Sequence, residues 1–305
     1  HIVTAEDIPV LLSVGKENVY VWETDETMLH EDEGAAVLRD LTLGPNMHAT
    51  EPKEGKIELI ADCDGLLTID RTRLLALNSL GEMMIASRHG GFSVQKGDKL
   101  AGMRVIPLVI AKEKMEEAKR VAAGAPVFQI HPFTKKKAGL ITTGNEVFYG
   151  RIEDTFSPVI EKKLGAFGAA VEMHVILADD PAEITAVIKD MLNKEMDMVL
   201  CTGGMSVDPD DRTPAAIRNT GTRIVSYGAP VLPGAMFLLS YTDDNRPVVG
   251  LPGCVMYAKR TIFDLVLPSL MAGVPVTAAD LSRMGEGGLC LDCPVCTFPN
   301  CGFGK

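Results

Sequence analysis

V-L-C-T-G-G-M-S-V-D-P-D-D-R-T-P, residues 199–214, is the stretch on which the reading of the fold turns. The apolar run Met198-Val199-Leu200 predicts a buried strand that stops at Thr202-Gly203-Gly204. An acidic loop with Asp208, Asp210 and Asp211 follows, and Thr213-Pro214 predicts entry into a helix, because proline suits the first helical turn. Strand, glycine turn, carboxylate loop and helix are the order in which α/β proteins hold a phosphate-bearing ligand and its metal. The glycines let backbone N–H groups approach phosphate oxygens. The carboxylates would repel a bare phosphate, so their presence implies Mg²⁺, a hard cation that takes both.

Working outward, the same alternation continues on either side. Residues 138–142 predict a strand ending at Thr143-Gly144-Asn145-Glu146. Ser157-Pro158 predicts a helix start, with Ser157 as cap. Residues 170–177 predict the next strand, and Asp180-Pro181 the next capped helix, with Ile184, Ile188 and Met191 at helical spacing. Further strands are expected at 222–226, 235–240 and 247–251, then a last helix over 255–271 containing Pro268. Repeated β-α units predict a three-layer α/β domain with a largely parallel sheet covered on both faces. Its bounds are placed at 135–275.

Upstream, short β-type runs separated by turn signals predict a β-rich domain over 1–134. These runs are 10–14, 18–23, 56–61 and 66–70, the last two read as a hairpin across Asp64-Gly65. Residues 71–86 have a helical pattern, 94–100 resemble a turn at a barrel edge, and 102–110 predict a strand. Residues 111–123 suit an exposed helix rich in i,i+4 charge pairs, connecting the domains. Residues 129–137 are read as the linker. His30 lies in an acidic run that is read as solvated surface.

The chain has 305 residues and a formal charge of −11, which argues against nonspecific binding to nucleic acid or to an anionic membrane. No apolar run approaches the ~20 residues of a membrane span, and no signal-peptide pattern is seen. Of the 7 cysteines, Cys63, Cys201 and Cys254 are scattered and read as packed thiols. Together with the absence of a disulfide framework this places the protein in the cytoplasm. Cys290, Cys293, Cys296 and Cys301 crowd into the tail, 276–305. Their C-x2-C-x2-C-x4-C spacing predicts a metal-binding loop, with a [4Fe–4S] cluster or Zn²⁺ as the candidates and free thiols as the alternative.

Three loops of the α/β part follow strand ends: 143–146, 202–211 and 251–254. At the carboxyl edge of a parallel sheet they share one rim. In order and context, T-T-G-N-E-V (142–147), D-D-P (179–181), T-G-G-M-S-V-D-P-D-D-R-T-P (202–214) and L-P-G-C-V-M (251–256) resemble the molybdopterin-binding family. MogA, MoaB, MoeA, gephyrin and the CinA N-terminal domain share that fold. The resemblance covers about residues 137–272. It implies molybdenum cofactor biosynthesis or handling: molybdopterin as ligand or substrate, Mg²⁺, and transfer of AMP or molybdate. By the same resemblance Thr202, Gly203, Gly204 and Ser206 hold the pterin phosphate and Pro252-Gly253 match the family's P-G turn. Asp211 stands at the catalytic aspartate, with Asp208 beside it, and Glu146 matches the glutamate of G-D-E. A homo-oligomer and exchange with other molybdenum-cofactor proteins are implied as well.

Two departures stand out. Asn145 replaces the usual aspartate of G-D-E, removing a carboxylate. Cys254-Val255 replace the usual polar residue and proline after P-G. Two other readings follow: a noncatalytic carrier or sensor of the cofactor, and a CinA-like nucleotide pyrophosphatase.

Overall fold

The computed structural model describes residues 3–19, 25–206 and 212–305. In chain order the elements are α1 (Ile8–Ser13), β1 (Met28–His30), α2 (Glu31–Thr42), β2 (Met47–Ala49), β3 (Lys56–Ala61), β4 (Gly65–Ile69), α3 (Arg71–Ser79), β5 (Met83–Ser87), β6 (Phe92–Val94), β7 (Lys99–Val105), β8 (Val109–Ala111), α4 (Lys112–Val121) and β9 (Phe128–Pro132). They continue with β10 (Lys137–Thr143), α5 (Asn145–Phe148), α6 (Phe156–Gly165), β11 (Ala170–Leu177), α7 (Pro181–Asn193), β12 (Met198–Thr202), α8 (Thr213–Asn219), β13 (Arg223–Tyr227), β14 (Leu238–Tyr241), β15 (Pro247–Leu251), a 3-10 turn (Gly253–Met256), α9 (Ile262–Met271) and α10 (Ala278–Arg283).

The expected α/β architecture is present. One six-stranded sheet runs in the order β11-β10-β12-β15-β14-β13. Its first four strands are parallel, while β14 and β13 pair antiparallel at the far side. β12 is buried at every residue. Its side chains alternate between two cores: Leu200 faces α6 and α9, where Ile160, Leu164, Phe263 and Leu267 pack, and Val199 and Cys201 face α7 and α8, with Ile184, Ile188 and Ile217. A strand covered on both faces loses the polar half of its alternation, which is why the sequence reads as a continuous apolar run.

Before residue 134 the strands form three small sheets: β2-β3-β7-β5, β6-β4-β9 and the pair β1-β8. Leu38 of α2, Leu59 of β3, Met103 of β7 and Phe128 of β9 share their common core. His30 caps α2, its ring accepting from Asp32 N–H while Glu33 reaches back to His30 N–H. That capping box accounts for the acidic run beside His30. The helix α9 also packs on β4 and β6, and Thr134 N–H donates to Met271 O at 3.3 Å.

Several local expectations are corrected. Residues 10–13 fall in α1 and Val14 is its C-cap; the helix buries nothing and carries Pro9 in its first turn, and a run this short does not distinguish strand from helix. The run at 18–23 falls partly on residues outside those described. β3 and β4 are not a hairpin: β3 is flanked by β2 and β7, so β4 pairs with β6 and β9 instead. The helix at 71 ends at Ser79, where Gly81 and Glu82 take positive φ, and the chain returns as β5. Pro107 lies in the gap that splits 102–110 into the end of β7 and β8. The supposed linker is divided: 129–132 belong to β9 and Lys137 to β10, leaving only 133–136 between strands. The predicted last helix is a 3-10 turn followed by α9, which starts at a Thr261–Asp264 capping box and contains Pro268.

No helix among the described residues is long and apolar enough to cross a membrane. Replacing Leu200 by Ala, at the centre of the six-stranded sheet, is expected to cost about 2–5 kcal/mol through the cavity it leaves. Urea denaturation of the two proteins measures this as a lower midpoint with an unchanged slope.

Candidate functional site

The parallel register brings the strand ends together. Thr142 of β10 stands beside Thr202 of β12, and Thr202 beside Leu251 of β15, while Thr143 neighbours Leu177 of β11. The loops that leave these residues therefore start along one edge, as the sequence predicts.

A threonine–glycine knot organises this edge. Gly203 has φ +86°, and a Cβ there would lie 2.1 Å from Thr143 O. Gly204 has φ +53°, and its Cβ would meet Thr213 Oγ1 at 2.9 Å. Only glycine satisfies both the left-handed backbone and the close approach. The hydroxyls of Thr143 and Thr213 share a hydrogen bond of 3.1 Å, both of them buried, so the start of α8 is tied to the end of β10. Thr213 N–H donates to Gly204 O at 3.3 Å. Tyr227 on β13 donates its hydroxyl to Met205 O at 3.2 Å, holding the outgoing loop from the other side. Cys201, wholly buried just before this turn, has its thiol pushed up to about 12 by burial and serves as packing.

A second network fixes the loop after β10. Asp154 accepts from the N–H groups of Phe156 (2.8 Å) and Ser157 (3.1 Å), from Ser157 Oγ, and from Thr142 Oγ1 (3.0 Å). His174 on β11 completes it, its Nε2 standing 3.0 Å from both Ser157 Oγ and Thr142 Oγ1 and 3.3 Å from Asp154. Asp154, one residue before the N-cap Thr155, therefore supplies the side-chain acceptor at the start of α6, correcting the expectation that Ser157 is the cap; Ser157 lies inside the helix. Burial raises the Asp154 pKa, but the hydrogen bonds from Ser157, Phe156 and Thr142 outweigh it and hold the carboxyl below its ordinary value. Sequence reasoning missed Asp154 and His174. The available signal was an aspartate three residues before Ser157, a spacing at which a side chain reaches the first helical N–H groups.

Of the predicted site residues, Thr202 and Pro252 are buried, Gly203 and Gly204 are half-buried, and Ser206, Glu146 and Gly253 are exposed. Glu146 sits in α5. Beside it Asn145 N–H donates to Asp179 Oδ2 at 3.1 Å, tying the loop after β10 to the loop after β11. Asp180 caps α7 as expected, accepting from Ala182 and Glu183 N–H. Asp208, Asp210 and Asp211 lie outside the described residues.

The tail folds back on the α/β body. Leu232 N–H donates to Gly288 O and Cys290 N–H to Leu232 O, both at 2.8 Å, and Phe303 is buried in the α9 core. Cys290 and Cys301 pack against that core, while Cys293 and Cys296 are exposed. Among the described residues no group of three or more His, Cys, Asp or Glu side chains is gathered as a metal-ligand set. The expected four-thiolate loop is thus not assembled here: packing pulls two of its cysteines onto α9 and leaves two in solvent. Cys296 is distinctive. The N–H of Phe298, together with the side chains of Arg260 and Lys259, holds its thiol below the ordinary value against the opposing effect of burial.

Comparison with known proteins agrees with the strand-end motifs. Residues 139–272 match the family described as "Probable molybdopterin binding domain", and residues 1–23 match one described only as a domain of unknown function. The chain is 24% identical over 196 residues to a molybdopterin molybdenumtransferase of Synechococcus elongatus, a match covering 61% of this chain and 46% of the relative. It is 34% identical over 77 residues to a CinA-like protein of Mycobacterium marinum, covering 25% of this chain and 18% of the relative. The chain thus spans less than half the length of these curated relatives. Among solved structures, CinA from Thermoplasma acidophilum aligns with 45% of this chain and 98% of its own, at 20% identity and a TM-score of 0.39.

Asp154 gives a pH test of the rim. Its folded pKa lies below the unfolded value of about 3.9, so its stabilisation is full above that value and is lost as pH falls through the folded pKa. Asp154→Asn is expected to cost about 1–3 kcal/mol at neutral pH, with the difference shrinking in acid. Denaturant titrations of both proteins across the acid range measure it.

Proposed function

We propose that this chain, whose residues 139–272 match the family described as "Probable molybdopterin binding domain", binds molybdopterin, or its adenylylated form, at the strand-end rim. The observation that carries the reading is the threonine–glycine knot. Gly203 and Gly204 present backbone without side chains where the loops of β10 and β12 meet, next to the loop that bears Asp208 and Asp211. In this reading Thr202, Gly203, Gly204 and Ser206 seat the terminal phosphate, and Pro252-Gly253 form the opposite lip. Asp211 and Asp208, with Glu146, would hold Mg²⁺, and the ion would supply neutralisation of phosphate charge. We read the protein as an enzyme of molybdenum cofactor biosynthesis acting in the cytoplasm, as a homo-oligomer and in exchange with other cofactor-handling proteins. Residues 135–275 are its working part, flanked by 1–134 and by the tail 276–305.

One observation favours a second reading, a carrier of the cofactor. Asn145 leaves the rim one carboxylate short, and its backbone is committed to Asp179. A CinA-like pyrophosphatase has less support, since the 34% identity to such a protein spans only 77 residues.

Protein purified from a host that makes the cofactor is expected to release a fluorescent oxidised pterin on denaturation. Asp211→Ala is expected to retain the fold and pterin while losing AMP or molybdate transfer by at least about a hundredfold, the scale of a lost transition-state charge contact. An unchanged rate in that variant removes the catalytic assignment. Pterin retained by a wild-type chain with no transfer establishes the carrier instead.

The tail metal is a separate proposal: [4Fe–4S] or Zn²⁺ on Cys290, Cys293, Cys296 and Cys301, reached by drawing together thiols that stand apart in this structure. After anaerobic purification, elemental analysis is expected to find iron or zinc that is lost in Cys293→Ser. Absence of both metals assigns the tail cysteines as free thiols.

A further inference from the structure

A second cleft, of about 590 Å³, opens between α6 and α9 and the segment 256–260. Its lining shares no residue with the knot of Gly203, Gly204, Thr143 and Thr213. In a chain of formal charge −11, Lys162, Lys163, Lys259 and Arg260 line it against one carboxylate, Asp264.

The charges are arranged unevenly. Asp264, with a side chain only 4% exposed, accepts from Lys163 Nζ at 2.6 Å and Arg260 Nη1 at 2.8 Å through one oxygen. Its other oxygen accepts from Thr261 N–H at 2.8 Å, closing the α9 capping box. One negative charge thus serves two cations, of which Lys163 is 12% exposed. The Arg260 Nε is buried with no hydrogen-bond partner among the described residues. Lys162, on the exposed side of α6, makes no ion pair among the described residues. A surplus of positive charge that is partly buried, with a donor unspent, costs free energy until an anion meets it.

The remaining wall fixes the shape of that anion. Val159, Phe167, Leu267 and Phe298 give the cleft an apolar side. The Arg260 guanidinium lies 4.8 Å from the Phe298 ring centroid, so its flat face is held by the aromatic ring. Lys259 donates to Cys293 O at 2.9 Å and pairs with Asp292, pinning the tail as the outer lip.

We propose that this cleft is a binding site for a phosphate-bearing aromatic small molecule of mononucleotide size, its phosphate on Lys162 and Arg260 and its ring on Phe298. The volume falls in the range of small-molecule sites, roughly 300–1,000 Å³. The site is independent of the pterin reading, since it uses none of the rim residues.

Isothermal titration of the full chain with AMP at low salt tests it, with adenosine and inorganic phosphate as the two halves of the ligand. Saturable AMP binding, competition by phosphate, and weakening by salt are expected, with adenosine binding at least about tenfold more weakly. Lys162→Glu, an exposed substitution whose fold is checked by circular dichroism, is expected to weaken AMP about tenfold or more. Phe298→Ala is expected to reduce AMP binding more than phosphate binding, since it removes the ring contact outright and only loosens Arg260. Asp211→Ala is expected to leave the Lys162-dependent component of AMP binding unchanged. A biphasic AMP titration that loses one phase in Lys162→Glu and the other in Asp211→Ala supports the cleft beside a separate rim site. Absence of saturable AMP binding, or AMP binding lost in Asp211→Ala but unmoved by Lys162→Glu, overturns the proposal without touching the pterin reading.

Discussion

The parallel pairing of β10, β12 and β15 is the constraint on which the rest of the structure depends. Each strand is buried on both faces, so its register is set by side chains that must enter one core or the other. A slip of one residue in β12 would move Leu200 out of the α6–α9 core and put Val199 and Cys201 into it. The same register aligns Thr142, Thr202 and Leu251, and it thereby decides which loops meet. The rim is a by-product of core packing, and its precision comes from the core.

What core packing leaves open, hydrogen bonding closes. Gly203 is pressed so near Thr143 O that a side chain cannot be placed there, and the Thr143–Thr213 pair locks the helix entrance against the strand end. On the neighbouring strand, Asp154, Ser157, Thr142 and His174 satisfy one another and the free N–H groups of α6. Buried polar groups in a low-dielectric setting are costly unless every partner is present, so these networks specify one arrangement of their loops. A binding surface built on such loops is rigid before a ligand arrives, which reduces the ordering cost of recognition.

Legibility in the sequence followed the kind of information each feature needs. The strands and helices after residue 137 were readable because their apolar spacing is regular and because caps such as Asp180-Pro181 act locally. The hairpin expected across Asp64-Gly65 failed because adjacency in sequence says nothing about which partners β3 already has. The last helix was placed too early because the apolar stretch 255–258, ahead of the Thr261–Asp264 box that starts α9, reads as a first helical turn. His174 gave no sign at all: alone on an edge strand, it acquires a role only from residues 17 and 32 positions away.

The sequence by itself determined the α/β class, the strand-end loops and the glycine turn that seats them, since these rest on periodicity, capping and φ, which are properties of neighbouring residues. It also carried the motifs that tie residues 139–272 to the molybdopterin-binding family. Only the tertiary structure decided that Thr143 meets Thr213 and that Asp154 rather than Ser157 supplies the acceptor at the start of α6. It also decided that Asp264 is shared by two cations from different segments, and that the tail cysteines divide between core and solvent. Each of these depends on groups far apart in the chain, brought within a few ångströms by a core whose packing no local pattern encodes.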